Sequence, residues 1–452
     1  MRRSPGPALL CVLLACGDDA AGTATDTAGT ATDTAGTATD TAGTATDTAG
    51  TDTNDDPQLA ACRALPAAAL AEWIEGPSLA PTGESTEARI AAAGAPTWEL
   101  ALDLLRVIDP AQNPSLAASP ASMTFALGLG YARWQGGLCG DEIHARMRFP
   151  ELGDPVHQTL GASIRELEGL SLPVGQDGED RVDVSFRPSI WSLEGPPMGA
   201  PLYGAKTHQV TKGGADKLAA IREVMNCVIE AESAGLLPNF VPSDHPQQDS
   251  VAYYVNASFL QAPWRVGLSG RGALPFTRDD GQVVNATGIG STSVPATYYE
   301  GSSFDALTLQ LRGGRLAVTF VTPKPDVYAD LGAFTAALTP AELAAVRTSS
   351  VHSDVDLTIP VVKIQSETLD YYDPLGFMCP LFTLRSVLHG ATVEIDEKGI
   401  KAAAATAGEE WSTGTGPPPP DRVVVLDRPF LFFVHDTTTQ FVLYNGRYAG
   451  PP

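Results

Sequence analysis

Three observations predict an α+β fold: helix-period patterns come early in the chain, strand patterns come late, and no β-α-β alternation links them. Thr97 to Ile108 reads as a helix carrying Leu100, Leu104, Leu105 and Ile108 on one face, and Asp109-Pro110 stops it. Ser119-Pro120 opens a second helix, with Ser119 as N-cap and Pro120 in the first turn, running through Phe125 and Leu129. A third helix spans Leu218 to Ile229. Strand patterns follow at Val251 to Leu260, Leu316 to Thr322, Val355 to Ile364, Thr392 to Ile395 and Val423 to Leu426. Two apolar runs near the C-terminus, Phe430 to Val434 and Phe441 to Tyr444, flank a polar turn and read as a hairpin of buried strands.

Size and charge narrow the function. A chain of 452 residues can bury a large core. With 29 basic against 53 acidic residues, the formal charge is −24. That balance excludes a general nucleic-acid binder, which needs clustered Lys and Arg to neutralise phosphates. No apolar run reaches the roughly 18 residues of a membrane-spanning helix.

The N-terminus reads as an export signal over residues 1–15: Arg2 and Arg3 precede a short apolar stretch, Pro7 to Ala15. Its ending, Leu13-Leu14-Ala15-Cys16, resembles the lipobox of bacterial lipoproteins, which implies that Cys16 is diacylated and becomes the mature N-terminus. Residues 22 to 50 then repeat Gly-Thr-Ala-Thr-Asp-Thr-Ala with aspartates at 26, 33, 40 and 47. The period is seven, but no heptad position holds Leu, Ile or Val, so no coiled-coil seam can form. Residues 16–56 are therefore expected to be a lipidated Cys followed by a disordered tether, averaging about 35 Å end to end. The body, 57–452, keeps most of the negative charge and four cysteines, Cys62, Cys139, Cys227 and Cys379. In an exported protein these can form disulfides, and their spacing leaves all three pairings open.

Catalytic and metal patterns are missing from the sequence. There is no G-x-S-x-G elbow, no H-E-x-x-H, no G-x-x-x-x-G-K-[ST] and no C-x-x-C, and the seven histidines never fall at metal-ligand spacing. A Ser-His-Asp set can still assemble in space, but nothing in the sequence points to one. The expectation is a protein without catalytic residues, metal or cofactor.

From Val393 the chain reads Val-Glu-Ile-Asp-Glu-Lys-Gly-Ile-Lys-Ala-Ala-Ala-Ala-Thr-Ala. Taken alone, the Ala run is a helix former. Gly399 before it, Gly408 after it and Pro417 to Pro420 beyond argue instead for an exposed loop. This segment resembles the hinge and reactive-centre loop of the serpins, and similar segments recur in the family's order over most of residues 97 to 452. Ser119-Pro120-Ala121-Ser122 resembles the family's S-P-x-S helix opening. Met225 to Leu237 resembles its I-N-x-W-V-x-x-x-T-x-G-x-I segment, with Val228 and Ser233 as departures. Val255-Asn256-Ala257 with Trp264 and Phe276 resembles its V-N-A-x-x-F-x-x-x-W-x-x-x-F segment, with Leu260 at the first Phe. Val355 to Pro360, His389 and Asp427 to Phe433 complete the series. The family's Asn shortly before S-P falls at Ser115 here, with Asn113 two residues away.

The resemblance implies three β-sheets, eight or nine helices and an exposed loop at about 397–421. It implies a monomeric inhibitor that presents this loop as bait to a serine protease and, once cleaved, inserts it as a central strand with the protease still acyl-linked. The alternative is a non-inhibitory relative that binds a ligand or partner. Glu397, Gly399, Ile400, Ala402, Ala403, Ala404, Ala405 and Thr406 form the hinge. Ile400, Ala402, Ala404 and Thr406 are expected to face inward on insertion, with Lys401 outward and wet. Glu410 would also turn inward, a desolvation cost against the reading. Counting as in the family sets the reactive bond at Thr413-Gly414, with Trp411 and Thr415 as alternatives. The absence of Lys and Arg between 401 and 422 favours elastase-, subtilisin- or chymotrypsin-like targets over trypsin-like ones. Ser119, Ser122, Asn256 and His389 match the family's shutter. By analogy with some relatives, Cys62 is expected to pair with Cys139. Together with the lipobox, the resemblance implies a protein anchored at the bacterial envelope, on the outer membrane or cell surface.

Overall fold

A computed structural model describes residues 57–173, 181–194, 201–380, 383–401 and 419–451. Their strands form three sheets, and helices pack around them. The helix Thr97–Arg106 buries Leu100, Leu104 and Leu105, as its periodicity requires. Helix Pro120–Trp134 starts where the sequence says it should: the Ser119 side chain accepts from the backbone N–H of Ser122, and Pro120 occupies the first turn, where a missing N–H costs nothing. The third expected helix is longer than its core pattern, Ala215–Glu232.

The seven-stranded sheet runs Ile74–Glu75, Lys206–Gln209, Asp183–Ser192, Ala252–Pro263, Gly399–Lys401, Thr392–Ile395, Val362–Gln365. The nine-stranded sheet ends in the expected hairpin: Phe430–Asp436 pairs antiparallel with Val442–Tyr448, and every residue of both strands is buried. Its long axis includes Val283–Glu300, Phe304–Gln310 and Leu316–Pro323, with Arg422–Val425 on one edge, parallel to Val351–Pro360. A short pair, Leu369–Asp370 with Leu388–His389, makes the third sheet.

One expected strand is two. Val355 to Ile364 has the alternation of a single strand, but Pro360 has no N–H to continue a ladder. The chain changes sheet there: Val351–Pro360 lies in the nine-stranded sheet and Val362–Gln365 at the edge of the seven-stranded one.

Arg447 ties the C-terminal hairpin to the first long helix. It is 1% exposed, and its guanidinium donates to the carbonyls of Leu105, Ile108 and Asn113. Three carbonyl acceptors satisfy the fork without a carboxylate, and burial pulls its pKa down to about 10. Ser115 contributes separately, its hydroxyl accepting from the N–H of Ala449 at 3.1 Å.

The disulfides differ from the expected one. Cys62 bonds Cys227, not Cys139, because helix Pro57–Arg63 packs on helix Ala215–Glu232 and brings the two Cα atoms to 5.7 Å. Cys139, at the start of helix Leu138–Met147, instead bonds Cys379, which follows the turn at residues 372–376, with Cα atoms 4.7 Å apart.

Candidate functional site: a hinge strand above an open sheet

The hinge begins in a tight turn. Asp396 accepts from the N–H groups of Lys398 and Gly399 through Oδ1, at 2.9 and 3.3 Å, while its own N–H donates to the Gly399 carbonyl at 3.0 Å. Gly399 is required here. Its φ is +151°, and a Cβ would lie 2.2 Å from the carbonyl oxygen of Ala262. Trp264 closes the turn from the other side, its backbone N–H donating to Lys398 O and its indole N–H to Asp396 O.

From this turn Gly399–Lys401 runs as a strand between two others. It is antiparallel to Thr392–Ile395, with Ile400 opposite Ile395, and antiparallel to Ala252–Pro263, with Ile400 opposite Ala262. Ile400 is 4% exposed and buried in the uncleaved chain. Ala402, Ala403, Ala404, Ala405, Thr406, Glu410, Trp411, Thr413, Gly414 and Thr415 lie outside the described residues, as do Cys16 and the side chain of Lys401.

Below the hinge strand the two flanking strands part. Strand 252–263 pairs with Asp183–Ser192 along its length, and strand 392–395 pairs with Val362–Gln365; among the described residues no pairing joins them directly. Between them is a cavity of about 640 Å³ whose walls include Ser119, Ser122, Asn256, Ser258, His389 and Thr392. The four residues matched to the shutter therefore meet in space, at the floor of a split sheet.

Their bonds cross from helix to strand. Ser119 Oγ donates to the Leu443 carbonyl at 2.6 Å, and the Ser119 backbone N–H donates to Nε2 of His389 at 2.8 Å. Ser122 Oγ donates to the Asn256 carbonyl at 2.6 Å and accepts from Asn256 Nδ2 at 3.1 Å. Burial pushes His389 down to about 4, so it is neutral at pH 7, with the proton on Nδ1 because Nε2 is an acceptor. Asn256 Oδ1 is buried without a hydrogen-bond partner among the described residues. A buried acceptor left bare costs about 1–3 kcal/mol, so the wall of this cavity favours an incoming donor.

Several contributors were not singled out from the sequence. Thr392 Oγ1 donates to the Leu236 carbonyl at 2.7 Å, which lays the segment after helix 215–232 across the split. In the sequence Trp264 stands only as part of a motif, and its role in closing the turn comes from its place in the fold. Arg385 also lines the cavity, and a lone exposed Arg leaves no signal in a sequence.

A family model described as "Serpin (serine protease inhibitor)" matches residues 97–451. An uncharacterized serpin-like protein of Methanosarcina acetivorans is 25% identical over 259 residues, 52% of this chain and 59% of that protein. Human Serpin B3 is 32% identical over 114 residues, 22% of this chain and 28% of that protein. The chain thus spans less than two thirds of the length of these curated relatives. Among solved structures, the thermophilic serpin tengpin in its native state is similar with a TM-score of 0.65 at 16% identity, covering 84% of this chain and 98% of that one. Maspin is similar at 0.64 and 15%, covering 80% and 100%. At such identities the structural likeness speaks for the fold alone.

Proposed function

The chain belongs to the serpin family, and from that premise we propose that it is an inhibitory member that traps a serine protease by inserting its cleaved loop into the split sheet. One observation carries this reading: the first hinge residues already form a strand between two neighbours, antiparallel to both, directly above a cavity along which that strand can grow.

The pairing fixes what growth would do. Each step along the hinge is one step back along both neighbours. Six residues beyond Ile400, Thr406 would stand opposite His389 (395 − 6) on one side and Asn256 (262 − 6) on the other. Its hydroxyl would then be a donor beside the bare Asn256 Oδ1. Ala402 and Ala404 on the same face bring side chains small enough to enter without steric cost. Extending the strand to about residue 413 forms on the order of ten ladder hydrogen bonds at about 1 kcal/mol each, enough for a one-way change.

In the reaction, the protease serine attacks the carbonyl of the loop residue at the reactive bond. Its proton passes through the protease base to the departing amine, and an acyl ester joins protease and loop. Insertion of Ile400 to Thr413, about 45 Å as a strand, then carries the protease across the sheet before water reaches the ester. The bond assigned is Thr413-Gly414, which suits an elastase- or subtilisin-like pocket; Trp411 would suit a chymotrypsin-like one.

The lipobox-like ending at Cys16 supports a site of action at the bacterial envelope, by the same reading, with Cys16 lipidated and the repeat as tether. Mass spectrometry of the mature N-terminus tests that part, and an unmodified residue other than Cys16 overturns it. Thermal unfolding of the chain before and after a single nick in the loop tests insertion: a large rise supports it, and no rise returns the protein to a ligand- or partner-binding role.

A further inference from the structure

The described N-terminal segment, residues 57–76, forms a strap that is not part of the matched family region, which begins at residue 97. It is fastened at two points. At one end Cys62, fully buried, is bonded to Cys227 on helix Ala215–Glu232. At the other, Ile74–Glu75 pairs with Lys206–Gln209 at the sheet edge, and the Gly76 N–H donates to the Thr207 carbonyl at 2.7 Å. Glu75 takes Arg63 from the strap itself at 2.7 Å and the buried Lys206 from the sheet. The Trp73 indole donates to His208 Nδ1 at 3.2 Å and lies against Trp191.

Along its length the strap covers the helix. Leu59, Cys62, Ala67, Ala68 and Ala71 join Ile221, Val224, Met225 and Val228 of the helix, and Val255 and Ala257 of the strand beneath, in a core separate from the main one. The helix is thus clamped from above and below. Its C-terminal continuation is the segment laid over the split: Leu236, Leu237, Phe240 and Val241 line the cavity, Asn226 bonds the backbone of Val241 through both side-chain atoms, and Leu236 accepts from Thr392 on the far side. On the insertion reading, a strand entering the split would have to pass this bridge.

We propose that the disulfide-fastened strap holds helix 215–232 and its bridge across the split, and so sets the rate at which the loop can insert. The rate control rests on the insertion reading above; the hold on the helix does not. A covalent fastening suits the task, because noncovalent contacts fray locally while a disulfide closing 165 residues of chain does not open with them.

The test uses the full-length protein, its Cys62→Ser/Cys227→Ser double variant, and a Trp73→Ala variant that loosens the sheet end of the strap and leaves the disulfide intact. Cys139→Ser/Cys379→Ser serves as control. Two quantities are measured: hydrogen exchange over residues 215–241 in the uncleaved chain, and the rate of insertion after nicking. Both strap variants are expected to lose exchange protection in that helix and to insert about tenfold faster or more, with the control unchanged. Unchanged exchange in both overturns the hold; lost protection with an unchanged insertion rate overturns the rate control. If the parent chain never inserts, the inhibitory reading fails, and exchange alone still decides whether the strap holds the helix.

Discussion

The Ser119 backbone N–H and the His389 Nε2 are 2.8 Å apart, so the N-cap of helix 120–134 is bonded to the strand bordering the open sheet. That bond exists only while the imidazole is neutral. Burial holds His389 near 4, and the buried His208 and His435 near 3. Each is therefore neutral in the folded chain while its unfolded counterpart protonates near pH 6.5. The unfolded state binds more protons, so stability falls as pH drops from about 6.5 toward 4, by up to about 1.4 kcal/mol per pH unit for each histidine. Denaturant titrations between pH 7 and 5 should show this loss, and His389→Gln should remove its share of the slope.

Ala404 is the residue whose size matters most to insertion. Four steps past Ile400 it would stand between Ala391 and Ser258, over the buried Ser258–Tyr444 hydrogen bond. An Ala404→Arg variant must bury an unpaired charge there, a cost of several kcal/mol. The intact protein should keep its unfolding temperature, since the split is open. Once nicked, it should show little of the parent's thermal rise, and protease should be released rather than trapped.

Glu410 looked from the sequence like an obstacle to insertion. The register answers this: ten steps past Ile400, Glu410 would stand opposite Arg385 (395 − 10) and Ala252 (262 − 10). Arg385 is exposed before insertion and lines the cavity mouth. Arg385→Ala should leave the intact protein unchanged and destabilise the nicked, inserted form by about 1 kcal/mol, the upper range for a pair that stays partly wet. Adding Glu410→Gln should restore it, as differential scanning calorimetry of the nicked forms can check.

Much of the site was legible because its signals are local. Ser119-Pro120 is a capping signature, and the glycine and small residues from 399 onward state their own steric terms. His389 and Asn256 were legible through their motifs, and the structure brings both to the same cavity. The disulfides were not, because pairing is decided by packing between segments 165 and 240 residues apart. The break at Pro360 was hidden because both halves of 355–364 alternate alike and only the sheet each joins differs. The strap is not legible in the sequence for a further reason. Its helices, Pro57–Arg63 and Pro66–Leu70, are too short and too rich in alanine to show a period.

The most direct measurement incubates the full-length protein with subtilisin-, elastase- and chymotrypsin-like proteases, resolves the products by SDS electrophoresis and sequences the released C-terminal peptide. The expected result is a covalent, SDS-resistant complex with one of them and a new N-terminus at Gly414 or within three residues of it. Complete cleavage of the loop by all three, with free active protease and no complex, would contradict it.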